Sequence, residues 1–218
     1  MIGHLLTAIG WGVVGAVVGV VIHHGSVWLA RAEGLDPGLR ARDVYGPPVV
    51  AALLFALLGG IMGLQWLLLL RSLWVAVLVQ VIFFDLEHRL ILDRVLLPAM
   101  VLALLFSIVT PHLGFGSALV TGIVAGGVFL LIALIGSVLF KAEALGFGDV
   151  KLAAFIGLLL GFPATLSALL YGVVLGGLVS IVLIVSRVRT MRDYFAYGPY
   201  IAAGALILLF EISAGTAQ

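Results

Sequence analysis

Long apolar runs separated by short polar segments fill almost the whole chain. Runs of about 20 apolar residues cross a bilayer as helices, because backbone groups inside the hydrocarbon must be hydrogen-bonded within the segment. We predict eight such spans, over residues 5–30, 47–64, 66–86, 95–111, 117–139, 150–161, 164–186 and 197–213. The sixth is the shortest, since GFP at 161–163 interrupts it. The pattern predicts an all-α fold, a polytopic membrane helix bundle of about eight transmembrane helices.

The composition agrees with a membrane protein. Hydrophobic residues make up 64% of the chain and charged residues 10%, and the mean hydropathy is +1.34. A soluble domain is typically about a quarter charged. A net charge of +1 offers no basic face for nucleic acid, and the absence of cysteine excludes disulfides and thiolate metal sites. We expect a lipid bilayer as partner, no nucleic acid, and one domain over residues 1–218.

Basic residues predict the orientation. Ten of the eleven lie at odd-numbered loops and leave only Arg71 for the other side: Arg31, Arg40, Arg42, Arg89, Arg94, Lys141, Lys151, Arg187, Arg189 and Arg192. Because cytoplasmic loops carry the excess of Lys and Arg, we predict that the odd-numbered loops face the cytoplasm and that both termini lie outside. The first apolar run is longer than a signal-peptide core, so we treat it as a retained helix.

Glycines recur four residues apart within the predicted helices, a spacing that lets two helices approach closely. The pairs are Gly15/Gly19, Gly59/Gly63, Gly122/Gly126 and Gly172/Gly176. Close packing of the bundle is the role that we expect for them.

Two carboxylates fall at the predicted cytoplasmic ends of apolar helices. Asp85 lies at the end of the third span, in VQVIFFDLEHR, and Asp149 lies at the start of the sixth, in GFGDVKL. When two carboxylates share a partly apolar site, one keeps its proton while the other stays ionised. Such a pair can hydrolyse an amide, since one member takes a proton from water and the other donates one to the carbonyl oxygen.

Other readings of these residues remain open. Asp149 can serve as the N-cap of the sixth helix, and Asp85 can pair with Arg89 one turn on. Ionisable groups within membranes are usually functional, which favours the pair of aspartates. His23 and His24 point about 100° apart on a helix, so we expect an interfacial structural role rather than a metal site. Lys151 either contacts substrate or anchors its helix at the headgroups.

The sequence resembles a known family in both aspartate segments. FFDLEHRLILDRVLLP and ALGFGDVKLAAFIGLLLG are similar to the two aspartate motifs of the type IV prepilin peptidases, the bacterial GxGD aspartic proteases. VGVVIHHGSVWLA, RDVYGPPVVAALLFALL and YGPYIAAGALILLF resemble the first, second and final helices of that family. The resemblance covers nearly the whole chain, with the motifs in the same order.

The resemblance implies an endopeptidase of the inner (cytoplasmic) membrane that serves type IV pili or type II secretion. It implies that Asp85 and Asp149 are the catalytic pair and that the substrates are prepilin or pseudopilin precursors with a short basic leader. Gly146 and Gly148 are then expected to keep side chains away from the carboxylate so that a substrate backbone can approach. An acidic rim of Glu87, Asp93 and Glu143 would suit the basic leader, and Lys151 is a further substrate-binding candidate.

Three departures from the family pattern bear on chemistry. Many members carry cysteine pairs that bind zinc in a large loop after the first helix, whereas this chain has no cysteine and about sixteen residues there. We therefore expect no metal, no N-methylation of the product and no S-adenosylmethionine. Ile91-Leu92-Asp93 stands where the family reads Ile-Pro-Asp/Asn, and Pro48 or a neighbour stands at a usual glutamate. Both changes bear on substrate preference.

Two other classes of function remain open at this point. In a small transporter, the two aspartates would be proton or cation ligands, although no symmetric pair of broken helices marks a midplane site. A non-catalytic assembly factor of a pilus or secretion machine would keep the fold without the chemistry.

Overall fold

The computed structural model describes residues 2–37, 40–111, 113–140, 145–186 and 196–216. Within them the chain forms eight α-helices and no strand, which confirms the predicted all-α fold. The helices are α1 (Ile2–Ala32), α2 (Ala41–Met62), α3 (Trp66–His88), α4 (Asp93–Phe106), α5 (Phe115–Phe140), α6 (Phe147–Leu160), α7 (Ala164–Val185) and α8 (Gly198–Thr216).

Six of these helices in the described residues are long and apolar enough to cross a membrane: α1, α2, α3, α5, α7 and α8. The protein is therefore a multi-pass membrane protein. The other two, α4 and α6, have 14 residues each. At about 1.5 Å per residue each is roughly 21 Å long, against about 30 Å for the hydrocarbon core. That α4 and α6 also cross the membrane stays a prediction.

The chain divides into two compact units. The first unit comprises Met1–Arg89 with Leu209–Gln218, and the second comprises Leu90–Leu208. The expectation of one domain over the whole chain stays a prediction. Each unit has its own close helix contacts.

In the first unit α1 packs along α2 with the two backbones in contact. A Cβ atom added to Gly15 would lie 2.5 Å from the Ala51 carbonyl oxygen, and one added to Gly19 would lie 2.5 Å from the Pro47 carbonyl oxygen. Gly59 of α2 faces α1 in the same way, since a Cβ atom added to it would lie 3.0 Å from the Thr7 carbonyl oxygen. These contacts confirm the packing role predicted for the glycine pairs in this unit.

The start of α2 differs from the prediction. The second span was expected to begin at residue 47, but α2 begins at Ala41 and contains Pro47 and Pro48. Pro47 has no N–H for the Asp43 carbonyl oxygen, which is its partner four residues back. His23 Nδ1 donates to that oxygen instead, at 2.8 Å, because a carbonyl can only accept. His23 thus has the structural role predicted for it, and the loop before α2 shrinks to residues 33–40.

In the second unit α6 forms the core. Ten of its fourteen residues are buried, on all sides of the helix. A Cβ atom at Gly157 would lie 2.7 Å from the Gly122 Cα atom and 2.7 Å from the Thr121 carbonyl oxygen of α5. Gly126 faces Ala154. A Cβ atom added to Gly172 of α7 would lie 2.6 Å from the Ile201 Cα atom of α8. The glycine spacing again marks the helix contacts.

We expect Gly157→Ala to lower the free energy of unfolding by about 1–3 kcal/mol, because its methyl group would have to displace α5 backbone. Gly127→Ala is the matched control, since a Cβ atom at Gly127 has nothing within 4 Å. Thermal unfolding of the detergent-solubilised protein measures both. Equal midpoints for the two variants would contradict the backbone contact.

Candidate active site

Asp85 is buried in the last turn of α3. Its residue is 5% exposed, and its carbonyl oxygen accepts a hydrogen bond from the Arg89 N–H at 2.8 Å. Arg89 takes a left-handed conformation with φ of 53°, which ends the helix at His88. Arg89 is thus the C-cap of α3, and this backbone hydrogen bond connects it to Asp85. A carboxylate is thereby held at the point where an apolar helix stops.

Asp149 is buried in the first turn of α6 and is 8% exposed. The N-cap position belongs to Gly146, so the reading of Asp149 as the N-cap is wrong. Asp149 lies three residues further on, where its N–H donates to the Gly146 carbonyl oxygen at 3.0 Å. From this position its carboxylate also hydrogen-bonds back to the Gly146 backbone, as an acidic residue in a capping box does.

Burial raises the pKa of Asp149 to about 6, and the hydrogen bond with the Gly146 backbone opposes this in part. The residue lies just before the predicted sixth span, and α6 is not among the six candidate spans. Loss of water disfavours the ionised carboxylate, which is the physical cause of the rise. Asp149 can therefore exchange a proton close to neutral pH.

The two predicted glycines differ in what the structure assigns to them. Gly146 is the N-cap, with φ of −67° and ψ of 140°, a backbone conformation open to other residues. Gly148 lies in the first helical turn, where a Cβ atom would come within 3.0 Å of the Ile91 Cβ atom. The small size of Gly148 thus lets α6 approach the segment before α4. Clearance for a substrate backbone at both glycines stays a prediction.

Glu87, expected on an acidic rim, forms ion pairs with arginines of its own unit. Arg42 Nη2 lies 2.5 Å from Glu87 Oε2, and Arg40 Nη1 lies 3.8 Å from the same oxygen. Arg42 Nε also contacts Asp43 Oδ1 at 3.1 Å. A basic substrate segment would meet a carboxylate that is already partnered.

Two further predicted substrate-binding residues pair with one another. Lys151 Nζ lies 2.6 Å from Asp93 Oδ1 and 2.7 Å from Asp93 Oδ2. The same ammonium group lies 4.9 Å from the centre of the Phe147 ring. Glu143, the third rim residue, lies outside the described residues, as do four of the basic residues that predict the orientation: Lys141, Arg187, Arg189 and Arg192. Substrate binding by these side chains stays a prediction.

A buried carboxylate that the sequence analysis did not single out lies in the first unit. Asp43 is 9% exposed, and its Oδ2 atom has no hydrogen-bond partner among the described residues. It borders a small cavity of about 20 Å³ together with His23, Ser26, Glu87 and His88. That volume holds about one water molecule. In the described residues no group of three or more His, Asp or Glu side chains could hold a metal ion.

Asp85 belongs to the first unit and Asp149 to the second. Each is a buried carboxylate at a helix end, and their action as a catalytic pair stays a prediction.

Comparison with known proteins identifies matches in one family. The model of the type IV leader peptidase family matches residues 72–181, which include both aspartates. The chain is 31% identical over 190 residues to a protein of Aeromonas salmonicida named prepilin leader peptidase/N-methyltransferase, covering 84% of this chain and 64% of that protein. Proteins of the same name match from Aeromonas hydrophila, at 30% over 186 residues with the same two shares, and from Bacillus subtilis, at 28% over 159 residues with 73% and 62%.

The chain spans just under two thirds of the length of the Aeromonas relatives that it matches. No solved structure matches it.

We expect Asp149 to make the protein less stable at neutral than at acidic pH. Its pKa of about 6 in the folded protein exceeds the ordinary value of 3.8, so the folded state holds the proton more tightly. The stabilisation is full below pH 3.8 and is lost as pH rises to about 6. The loss is about 3 kcal/mol.

Thermal unfolding at about pH 4 and about pH 7 tests this sign. Asp149→Asn should gain stability over the wild type as pH rises, because it carries no charge to desolvate. Asp36→Asn, which removes an exposed loop carboxylate, is the control. A difference between Asp149→Asn and the wild type that is the same at both pH values would contradict the raised pKa.

Proposed function

The chain belongs to the type IV leader peptidase family, and on that premise we propose that it is an aspartic endopeptidase that removes the basic leader from prepilin-like proteins. The observation that carries the proposal is the burial of Asp85 and Asp149 at helix ends within the matched residues. Buried carboxylates with shifted pKa values are typical of acid–base catalysis. The names of the matched proteins supply the substrate class.

The two aspartates divide the proton transfers of amide hydrolysis. Asp149, whose pKa burial raises, is the member that carries the proton and donates it to the carbonyl oxygen of the scissile bond. Asp85 is the ionised member that takes a proton from water as the water oxygen attacks the carbonyl carbon. The C–N bond of the tetrahedral intermediate then breaks as Asp85 gives its proton to the leaving amine and a hydroxyl of the intermediate returns a proton to Asp149. Every step uses carboxylates and water.

The substrates are prepilin or pseudopilin precursors of type IV pili or type II secretion. The reaction takes place at the cytoplasmic face of the inner membrane, with both termini of the chain outside. The distribution of basic residues supports this orientation, since ten of eleven fall at odd-numbered loops. A leader rich in Lys and Arg stays on the cytoplasmic side for the same electrostatic reason.

We propose that this chain does not N-methylate its product and uses neither S-adenosylmethionine nor a metal. The chain has no cysteine, and the segment between α1 and α2 is only residues 33–40. The zinc-binding loop of many family members has no counterpart there.

Asp85→Asn and Asp149→Asn should each reduce leader removal by at least about a thousandfold, because Asn can neither take nor donate the proton. The assay incubates the purified protein in detergent with a prepilin and follows the loss of the leader on a gel. Asp36→Asn should cleave at the wild-type rate. Continued processing by the double Asn variant would rule out the two-aspartate mechanism, whereas no processing by the wild type would leave the transporter or the assembly factor.

Mass spectrometry of the mature pilin N-terminus tests the absence of methylation. With this protein as the only enzyme and S-adenosylmethionine supplied, we expect the mass of the unmodified N-terminus. A gain of one methyl group would overturn the proposal for methylation and leave the peptidase proposal intact.

A further inference from the structure

Each aspartate is followed two residues later by a charged side chain that is paired with another segment of its own unit. Glu87 follows Asp85 in α3 and pairs with Arg42. Lys151 follows Asp149 in α6 and pairs with Asp93. Residues two apart in an α-helix point about 200° from one another. The ion pair therefore lies on the side of the helix that faces away from the aspartate.

In the first unit a glycine contact accompanies the ion pair. A Cβ atom at Gly46 of α2 would overlap the Phe83 ring of α3. Phe83 and Glu87 are four residues apart on α3, and Arg42 and Gly46 are four residues apart on α2. Residues at this spacing share a helix face, so one face of each helix supplies both contacts.

The second unit repeats this arrangement with other residues. Gly148 meets Ile91, and Lys151 pairs with Asp93 in the same short segment at the start of α4. Gly148 and Lys151 are three residues apart on α6 and share a face. Asp149, which lies between them in sequence, points away from that face.

We propose that the ion pairs Glu87–Arg42 and Lys151–Asp93 are positioning contacts that set the rotation of the aspartate-bearing helices α3 and α6. The glycine contact lets the helix come close, and the ion pair holds its angle about its own axis. Glu87, Asp93 and Lys151 then act through the aspartates rather than by binding the leader. The catalytic part of this inference rests on the proposed peptidase.

The ion pair is expected to affect the reaction rate more than it affects the stability of the protein. The Lys151 and Asp93 side chains are 24% and 52% exposed. An ion pair with this exposure contributes little to stability, because solvent screens it. A displacement of about 1 Å at a catalytic group can cost roughly a hundredfold in rate. Loss of the pair should therefore slow the reaction more than it destabilises the protein.

The second-unit pair allows a charge exchange, because Lys and Asp can trade places without changing the combined length of the two side chains. We expect Lys151→Met and Asp93→Asn each to lower kcat by about tenfold or more while KM stays within about twofold. The double variant Lys151→Asp with Asp93→Lys should recover kcat to within a few-fold of the wild type. Asp36→Asn is the control for loss of one carboxylate.

A second readout follows the direction of position 149 without any peptidase reaction. The chain has no cysteine, so Asp149→Cys introduces a single thiol. In the membrane-inserted protein we expect a soluble maleimide to label it slowly, because position 149 is buried. Adding Lys151→Met should raise the labelling rate several-fold, and the charge exchange should restore slow labelling.

Two outcomes would overturn the inference. A rise in KM with unchanged kcat in Lys151→Met would assign Lys151 to substrate binding. Unchanged labelling of Asp149→Cys after loss of Lys151 would show that the pair does not orient α6. An inactive wild type with the labelling pattern as expected would instead contradict the proposed peptidase and leave the positioning role of the pair standing.

Discussion

Contact between helix backbones is the constraint on which each unit of this protein depends. Lipid tails are as apolar as leucine, so burial of apolar surface drives helix association weakly in a bilayer. Helices must instead come close enough for dispersion and polar contacts to act. Gly15 and Gly19 provide that approach between α1 and α2, and Gly157 provides it between α6 and α5. These close approaches fix the positions of the helices, and therefore the positions of the carboxylates at their ends.

The sequence predicts features that depend on local properties of the chain. Apolar length predicts the helices, and glycine spacing predicts their contact faces, since both are encoded within one segment. Features that depend on which segments meet could not be predicted. The pairing of Arg42 with Glu87 and of Lys151 with Asp93 is of this kind. The buried Asp43 is another, because its burial requires α1 and α3 beside α2.

The sequence predicted that Asp85 and Asp149 lie at helix ends but not the local geometry of either residue. An acid after a glycine-rich turn resembles an N-cap, and only the helix start at Phe147 shows that Gly146 takes that place. Asp149 is carried into the buried first turn, where desolvation favours its protonated form. The same burial that suits the group to proton transfer makes its charged form costly to the fold. In the proposed mechanism Asp149 starts in the protonated form that the fold favours and passes through the charged form that costs it stability.

The hydrogen bond between His23 and the Asp43 carbonyl makes the formation of α2 depend in part on α1. Residues 41–46 precede two prolines, so the carbonyls of Asp43 and Val44 have no helical N–H four residues on. An imidazole from α1 supplies a donor for the Asp43 carbonyl. Docking against α1 therefore stabilises the first turn and a half of α2 in addition to its own backbone hydrogen bonds. Because synthesis proceeds from the N-terminus, α1 is made before α2, and His23 is already present when α2 forms.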